Sequence, residues 1–213
     1  VEPQASTPGP LPDLTGDDPA YLFFTSGTTG VPKGVLGNHR GLAHFLSWQR
    51  ETFGVEPSDR CAQLTGLSFD VVLRDIFTPL TSGATLCLPE ELAVLEPARL
   101  LAWLQEERIT LLHTVPSLAH SWLMQPSGPA NESLRWAFFA GEPLTDRLIQ
   151  GWREHFVRCE IVNLYGPTET TLAKFWYQTP AQPLPGVQPV GWPPPQTQAL
   201  VLDGQKRLCG IGE

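Results

Sequence analysis

Short apolar runs alternate along this chain with longer segments in which apolar positions recur at helical spacing. A short, nearly continuous apolar run is typical of a buried strand, whereas the longer pattern is typical of one face of a helix. The alternation predicts an α/β fold in which a mostly parallel sheet is flanked by helices on both faces. The predicted strands are Tyr21–Thr25, Ala62–Thr65, Ala84–Leu88, Ile109–Val115, Leu134–Ala140 and Glu160–Leu164; the predicted helices run from an Asn38 cap to Phe53, then Val72–Leu80, Pro97–Glu107, Ser117–Met124 and Thr145–Phe156.

Proline and glycine divide the chain into parts. Residues 1–20 are rich in Pro, Ser, Thr, Gly and acidic residues, which predicts an extended, exposed lead-in. Residues 21–179 form the predicted α/β core. Residues 180–213 are predicted to be a Pro/Gly-rich connector and the start of a β segment, because the strand–helix alternation stops there. In that segment, Gln198–Leu202 and Arg207–Cys209 flank a tight turn and predict a short β-hairpin.

Composition narrows the functional classes. With 41% hydrophobic and 17% charged residues, the chain is typical of globular proteins. The net charge is −8 and no Lys/Arg cluster offsets it, so no nucleic-acid partner is expected. No apolar stretch reaches membrane-spanning length and no signal-peptide pattern is present, so we expect no membrane association and a cytoplasmic location. The four cysteines are far apart and lack CxxC spacing, which favours buried, reduced thiols.

A loop rich in hydroxyls and glycines follows the first predicted strand and contains one lysine. Glycine lets the backbone approach an anion, hydroxyls and amides donate hydrogen bonds, and lysine supplies a charge, so the loop predicts phosphate binding. It is not a Walker P-loop, because Lys33 follows proline and precedes glycine instead of opening a helix. A surface turn without a ligand is the alternative. The predicted phosphate-binding residues are Thr25, Ser26, Gly27, Thr28, Thr29, Gly30 and Lys33.

Two further loops follow predicted strands. The segment 141–143, Gly-Glu-Pro, comes after Leu134–Ala140, and the segment 165–170, Tyr-Gly-Pro-Thr-Glu-Thr, comes after Glu160–Leu164. In an open parallel sheet, ligands bind beyond the carboxyl ends of the strands, so these loops are expected to converge. By itself the second segment could be a turn with a helix cap, since threonine and glutamate suit a helix N-terminus.

Taken in order, the three loops resemble the motifs of adenylate-forming enzymes, the superfamily of acyl-CoA synthetases, luciferases and adenylation domains of nonribosomal peptide synthetases. The resemblance is to the central part of the large N-terminal subdomain of such an adenylation domain. It implies MgATP as the cofactor, with Lys33, Thr168 and Glu169 as catalytic residues. It further implies that Tyr165 stacks on adenine and that Asn163 and Gly141 line the adenine pocket. Thr168 would contact the α-phosphate and Glu169 would hold Mg²⁺. The rest of the implied nucleotide site is Glu142, Pro143 and Gly166.

The segment around Asp70 bears on the substrate. An acid that follows a buried aromatic at a strand-to-helix junction is a natural helix cap. The resemblance implies instead that Asp70 pairs with the α-ammonium group of an α-amino acid. An ion pair shielded from water would discriminate against acids that lack the amine.

The resemblance also implies a side-chain pocket. Some of its residues resemble pockets that read serine, but Arg74, Ala140 and Ala173 depart from that pattern. Arg74 could anchor an acidic side chain, or it could pair with Asp75 or Glu142 and touch no substrate. Serine, an acidic amino acid and a different amino acid therefore remain open as substrates. The implied pocket comprises Asp70, Val71, Arg74, His113, Phe138, Ala140, Leu164, Leu172 and Ala173.

The implied function is activation of an amino acid. The parent enzyme would form aminoacyl-AMP from an α-amino acid and MgATP, release pyrophosphate, and transfer the aminoacyl group to the phosphopantetheine thiol of a carrier protein. An acyl-CoA or aryl-acid ligase and a noncatalytic scaffold domain are the alternatives. The family's C-terminal lid subdomain, with its bridging lysine, is expected to be absent from this chain, so the fragment alone is expected to be inactive or weakly active.

Overall fold

The computed structural model describes residues 13–26, 30–90, 96–125 and 131–210. Most of the predicted lead-in and the end of the predicted C-terminal segment lie outside these ranges. The predicted phosphate-binding residues Gly27, Thr28 and Thr29 also lie outside the described residues.

A six-stranded sheet forms the centre of the described structure, with strand order β4-β3-β5-β6-β7-β8. Strands β3 to β7 pair in parallel, and β8 pairs antiparallel to β7 at the edge. The predicted α/β fold with a mostly parallel sheet is therefore confirmed. The strands are β3 (Arg60–Ala62), β4 (Thr85–Cys87), β5 (Leu111–Thr114), β6 (Trp136–Ala140), β7 (Glu160–Tyr165) and β8 (Phe175–Gln178).

The helices begin and end at residues that the sequence provides for this purpose. The Asn38 side chain accepts a hydrogen bond from the amide of Gly41 at 2.9 Å, and the first helix ends at Gly54, whose φ of 58° is easy for glycine. The Thr145 hydroxyl caps the last helix through the amide of Leu148. The helices are α1 (His39–Phe53), α2 (Val72–Ser82), α3 (Pro97–Glu106), α4 (Pro116–Leu123) and α5 (Asp146–His155).

Each face of the sheet carries its own hydrophobic cluster. Successive residues of one strand point to opposite faces, so Leu111 and Phe138 join one cluster while Leu112 and Phe139 join the other. Helix α1 covers the first face, where Phe53 lies at the centre of the aromatic packing. Helices α3, α4 and α5 cover the second face. The burial of both faces explains why the central strands read as continuous apolar runs.

A separate two-stranded sheet corrects the prediction for the start of the core. The segment Tyr21–Thr25 was predicted to be a buried strand, but β1 (Pro19–Thr25) is only half buried and pairs antiparallel with β2 (Lys33–Asn38). Strand β2 was not predicted, because its two glycines and its polar ends give no strand pattern. Strand β8 was missed as well, because it is a short edge strand with partly exposed side chains.

The segment after β8 is attached to the core at isolated points. Single β-bridges join Thr145 to Val187 and Trp176 to Trp192, and a third joins Leu202 to Leu208 around a turn at Asp203. The hairpin expected there thus consists of one bridge among the described residues.

In the same described ranges, all four cysteines are free; Cys61, Cys87 and Cys159 are buried, whereas Cys209 is only partly buried. No helix in these ranges is long and apolar enough to cross a membrane.

Phe53 offers a test of the first cluster. Its ring packs edge-on against Trp136 at 5.0 Å and Phe138 at 4.9 Å between centroids. Replacement of Phe53 by Ala removes these contacts and leaves a cavity, so we expect the free energy of unfolding to fall by about 3–5 kcal/mol in denaturant titrations. Leu80→Ala, at a position 57% exposed on α2, should change it by about 0.5 kcal/mol or less. Equal effects of the two substitutions would contradict this packing.

Candidate active site

A cavity of about 500 Å³ opens at the carboxyl ends of β5, β6 and β7, beside the start of α2. Loops that follow three parallel strands converge there, as expected for an open α/β sheet. Most of the predicted side-chain pocket lines this cavity together with part of the predicted nucleotide site. The residues from those two sets are Asp70, Val71, Arg74, His113, Ala140, Leu172 and Ala173, with Gly141, Gly166 and Thr168; Leu64, Thr65, Gly66, Phe69, Thr114, Val115, Leu118 and Pro167 complete the lining.

Two predicted pocket residues do not line the cavity. Phe138 and Leu164 are fully or almost fully buried in the cluster on the α1 face. The Phe138 ring stacks on His113, with centroids 4.8 Å apart, so it supports the pocket wall from behind. Both point to the same face of the sheet as two residues that line the cavity, since Phe138 pairs with His113 and Leu164 pairs with Ala140.

Asp70 occupies the cavity wall at the entry to α2. The N-cap position of this helix is Val71, one residue later, and no side-chain hydrogen bond caps the helix there. Burial raises the pKa of the Asp70 carboxyl, while a hydrogen bond from the Thr168 hydroxyl and the charge of Arg74 oppose that rise. A buried carboxylate next to Thr168, a residue of the predicted nucleotide site, is suited to hold a cationic group.

A buried polar network lies behind Asp70. Thr78 Oγ1 donates to Gln49 Oε1 at 2.9 Å, and Gln49 Nε2 lies 2.7 Å from His113 Nε2. His113 Nδ1 lies 3.1 Å from Asp75 Oδ1. This order of partners suits a neutral imidazole that accepts from Gln49 at Nε2 and carries its proton on Nδ1, facing Asp75.

Electrostatics around His113 support the same protonation state. Burial and the charge of Arg74 lower the pKa of His113 to about 4, although Asp75 works in the opposite direction. The imidazole is thus neutral near pH 7, and the charged groups of the network are Arg74 and Asp75. Burial also lowers the pKa of Arg74, against the pull of both aspartates.

Glycine and a backbone turn shape the side of the cavity nearest β7. A Cβ atom on Gly166 would lie 2.6 Å from the carbonyl oxygen of Leu172 and 2.7 Å from Cα of Ala173, so this position excludes any side chain. Thr171 and Leu172 both adopt left-handed backbone conformations, which are rare outside glycine. This strained turn directs Leu172 into the cavity.

Several predicted nucleotide residues lie outside the cavity lining. Tyr165 is 54% exposed at the end of β7, and Glu169 is exposed in the 3₁₀ turn Thr168–Thr170. Asn163 is buried, and its side-chain amide donates to the carbonyl of Pro189 at 2.8 Å. The exposed face of Tyr165 leaves an aromatic surface available for stacking.

Glu142 has a structural partner in this structure. Its carboxylate accepts hydrogen bonds from the backbone amide and the hydroxyl of Ser117, both at 2.8 Å, at the first turn of α4. It therefore pairs with Ser117 instead of Arg74. Gly141, with a φ of 85°, makes the turn out of β6, and Pro143 follows it at the surface.

The hairpin of β1 and β2 carries the described part of the predicted phosphate loop. Thr25, the last residue of β1, pairs with Lys33, the first residue of β2. The segment 26–32, which includes Ser26 and Gly30, therefore connects the two strands of the hairpin. The hydroxyl of Tyr21 donates to Thr171 Oγ1 at 3.0 Å, which ties the hairpin to the turn after Thr168–Thr170.

Sequence reasoning missed residues that hold the site together. Tyr21, Thr171, Gln49 and Thr78 belong to hydrogen bonds that join distant segments. Gln49, a polar residue on the buried face of α1, was the one sequence signal of this network, since a polar group at a core position needs a hydrogen-bond partner. The partner itself is 64 residues away and has no signature in the sequence.

Comparisons with known proteins agree with this architecture. A family model described as AMP-binding enzyme matches residues 1–213. The chain is 35% identical over 207 residues to L-2-aminoadipate reductase of Saccharomyces cerevisiae, covering 92% of this chain and 15% of that protein. It is 34% identical over 196 residues to tyrocidine synthase 3 of Brevibacillus parabrevis, covering 92% of this chain and 3% of that protein. The chain thus spans only a small part of these relatives.

Solved structures show the same likeness. The Vibrio cholerae adenylation domain AlmE in complex with glycyl-adenosine-5'-phosphate has a TM-score of 0.81 at 29% identity, covering 91% of this chain and 36% of that one. The AMPPNP-bound form of the nonribosomal peptide synthetase FmoA3 has a TM-score of 0.84 at 30% identity, covering 96% of this chain and 22% of that one. The resemblance inferred from the sequence motifs is therefore confirmed.

The neutral state of His113 predicts a pH dependence of stability. The unfolded chain binds a proton on this histidine below its ordinary pKa of 6.5, whereas the folded protein does so only near pH 4, so acid favours unfolding between these values. The free energy of unfolding should fall by about 1.4 kcal/mol per pH unit in that window relative to His113→Gln, as measured by denaturant titrations at several pH values. Parallel curves for the two proteins would contradict a neutral, buried imidazole.

Proposed function

This chain belongs to the AMP-binding enzyme family, and we propose that the protein of which it is part activates an α-amino acid with MgATP as aminoacyl-AMP. Pyrophosphate leaves, and the aminoacyl group passes to the phosphopantetheine thiol of a carrier protein. In this proposal the chain supplies the central part of the large N-terminal subdomain, and a C-terminal subdomain completes the catalytic site. In this proposal the reaction takes place in the cytoplasm, where ATP and carrier proteins are present.

One observation carries the proposal: Asp70 and Thr168 line the same cavity, and the Asp70 carboxylate is buried there. A buried carboxylate binds an ammonium group strongly, because little water competes for it. The neighbouring turn belongs to the nucleotide motif, so an amino acid held through its ammonium group at Asp70 presents its carboxylate beside Thr168. A complex of AlmE with glycyl-adenosine-5'-phosphate shows that a protein of this fold binds such a product.

The nucleotide is assigned to residues around the hairpin and the end of β7. In this proposal Tyr165 stacks on adenine, Gly141 and Asn163 border the base, and Thr168 contacts the α-phosphate. Exposed Lys33 supplies positive charge to the phosphates, together with hydroxyls of Thr25 and Ser26. The backbone of Gly166, free of a side chain, lets the ligand approach the turn closely.

The residues present fit a magnesium ion that is bound together with phosphates. Magnesium is usually held by one or two carboxylates plus substrate phosphates, and Glu169 offers an exposed carboxylate next to the Thr168 hydroxyl. No cluster of three or more His, Cys, Asp or Glu ligands occurs within the described ranges. When bound, Mg²⁺ neutralises the phosphate charge that an attacking carboxylate must approach.

The proposed reaction joins two anions, so positioning decides its rate. A carboxylate oxygen of the amino acid forms a bond to the α-phosphorus, and the bond to the bridging oxygen of pyrophosphate breaks. Asp70 orients the amino acid through its ammonium group, Lys33 donates to the phosphate oxygens, and Thr168 contacts the α-phosphate. Fixed donors of this kind stabilise the developing charge without reorganisation during the reaction.

The direct test is ATP–pyrophosphate exchange by the full-length parent protein, measured separately with each amino acid. We expect exchange that depends on one or a few amino acids. Exchange with fatty or aryl acids alone would identify an acyl or aryl ligase instead. If the folded protein neither catalyses exchange nor binds MgATP in calorimetry, the domain is a scaffold.

Asp70→Asn isolates the ammonium contact. The substitution keeps the shape of the side chain and removes its charge, so kcat/KM for the amino acid should fall by about 100-fold or more, while MgATP binding stays unchanged. The matched control is Asp146→Asn, which alters an acid in the first turn of α5, away from the cavity. Loss of about 1 kcal/mol of stability with unchanged kcat/KM would assign Asp70 a purely structural role.

A further inference from the structure

We propose that the activated amino acid carries a second carboxylate in its side chain and that Arg74 binds it. The inference rests on the proposed function, because it names the substrate class of the same cavity. Arg74 lies on the first turn of α2, at the inner end of the cavity, and it lines that cavity together with Asp70.

The guanidinium of Arg74 is buried but poorly satisfied. Its side chain is 4% exposed, and Nε and Nη1 have no hydrogen-bond partner within the described ranges of the chain. A buried cation without hydrogen-bond acceptors is costly, and the cost falls when a ligand provides them. The unpaired donors thus mark a place where an acceptor group is missing.

Asp75 does not fill this place. Its nearest oxygen lies 3.8 Å from Nε of Arg74, beyond hydrogen-bond distance, and that oxygen lies closer to His113 Nδ1, at 3.1 Å. The other oxygen of Asp75 accepts from the backbone amide of Thr65 at 3.3 Å. Asp75 therefore balances the charge of Arg74 at a distance without a hydrogen bond to it. Its Oδ1, like His113 Nδ1, has no hydrogen-bond partner among the described residues.

The chemistry of the free donors selects a carboxylate. Each edge of the guanidinium, Nε with Nη2 or Nη1 with Nη2, presents two N–H groups that match the oxygens of a carboxylate, whereas a hydroxyl or amide provides one oxygen acceptor and no charge. The neutral His113 does not compete for an anion, and Asp70 is assigned to the α-ammonium group. Val71, Ala140, Leu172 and Ala173 line the space between, and their apolar surfaces suit the methylene groups of such a side chain.

The test compares acids with their amides in ATP–pyrophosphate exchange by the full-length parent. The probes are L-aspartate, L-glutamate and L-2-aminoadipate, set against asparagine, glutamine, serine and leucine. We expect kcat/KM for the best acid to exceed that for the best neutral amino acid by about 100-fold or more, since a buried donor left unpaired rejects its analogue strongly. A neutral amino acid as the best substrate would overturn the inference while leaving the proposed function intact. No exchange with any amino acid would overturn both.

Variants of Arg74 locate the contact. Arg74→Met should lower kcat/KM for the acid by about 100-fold or more and change that for its amide by less than about threefold; Arg74→Lys should recover part of the loss through charge alone. Arg158→Met, at an exposed ion pair with Glu132, is the control and should leave both values unchanged. Thermal unfolding of each variant identifies folded protein. Equal losses for acid and amide in folded Arg74→Met and Arg74→Lys would assign Arg74 to structural support and overturn the contact.

Discussion

Parallel pairing of β5, β6 and β7 is the constraint on which the rest of this structure depends. Parallel strands end at the same edge, so the segments that follow them must meet. His113, Ala140 and Gly166 are far apart in sequence yet border one cavity for that reason. Both faces of these strands are covered by helices, which leaves the carboxyl edge as the place where polar chemistry can be reached.

The cavity combines polar groups that water does not fully solvate. Asp70 and Arg74 keep charges at sites where burial opposes them, and the shifts in pKa of both groups follow from that conflict. Gln49 and Thr78, which do not line the cavity, hold the imidazole of His113 through two hydrogen bonds in series. The hydrogen bonds from Thr78 to Gln49 and from Gln49 to His113 hold this part of the pocket wall in one arrangement, because a side chain that turned away would leave its neighbour unpaired.

The sequence predicted the parts of this structure that are encoded locally. Alternating apolar runs identified the central strands, and Asn38 and Thr145 marked the helix starts with their side chains. Strand β2 could not be predicted from the sequence, because its two glycines interrupt the strand pattern of apolar residues and its pairing depends on β1. Among the predicted site residues, Asp70 and Arg74 line the cavity, whereas Phe138 is buried in the cluster behind it, which depends on tertiary packing that the motifs do not encode. The bond between Tyr21 and Thr171 is a tertiary contact with no local signal.

The walls of the cavity come from separate elements. Arg74 and Val71 stand on α2, whereas Gly166 and Thr168 belong to the turn after β7. The turn is constrained by close backbone contacts that exclude almost any replacement, while the helix presents side chains that can be exchanged without moving the backbone. Under the proposed function, this division makes the pocket evolvable: substitutions on α2 would change which amino acid fits, while the turn proposed to contact the nucleotide would keep its backbone.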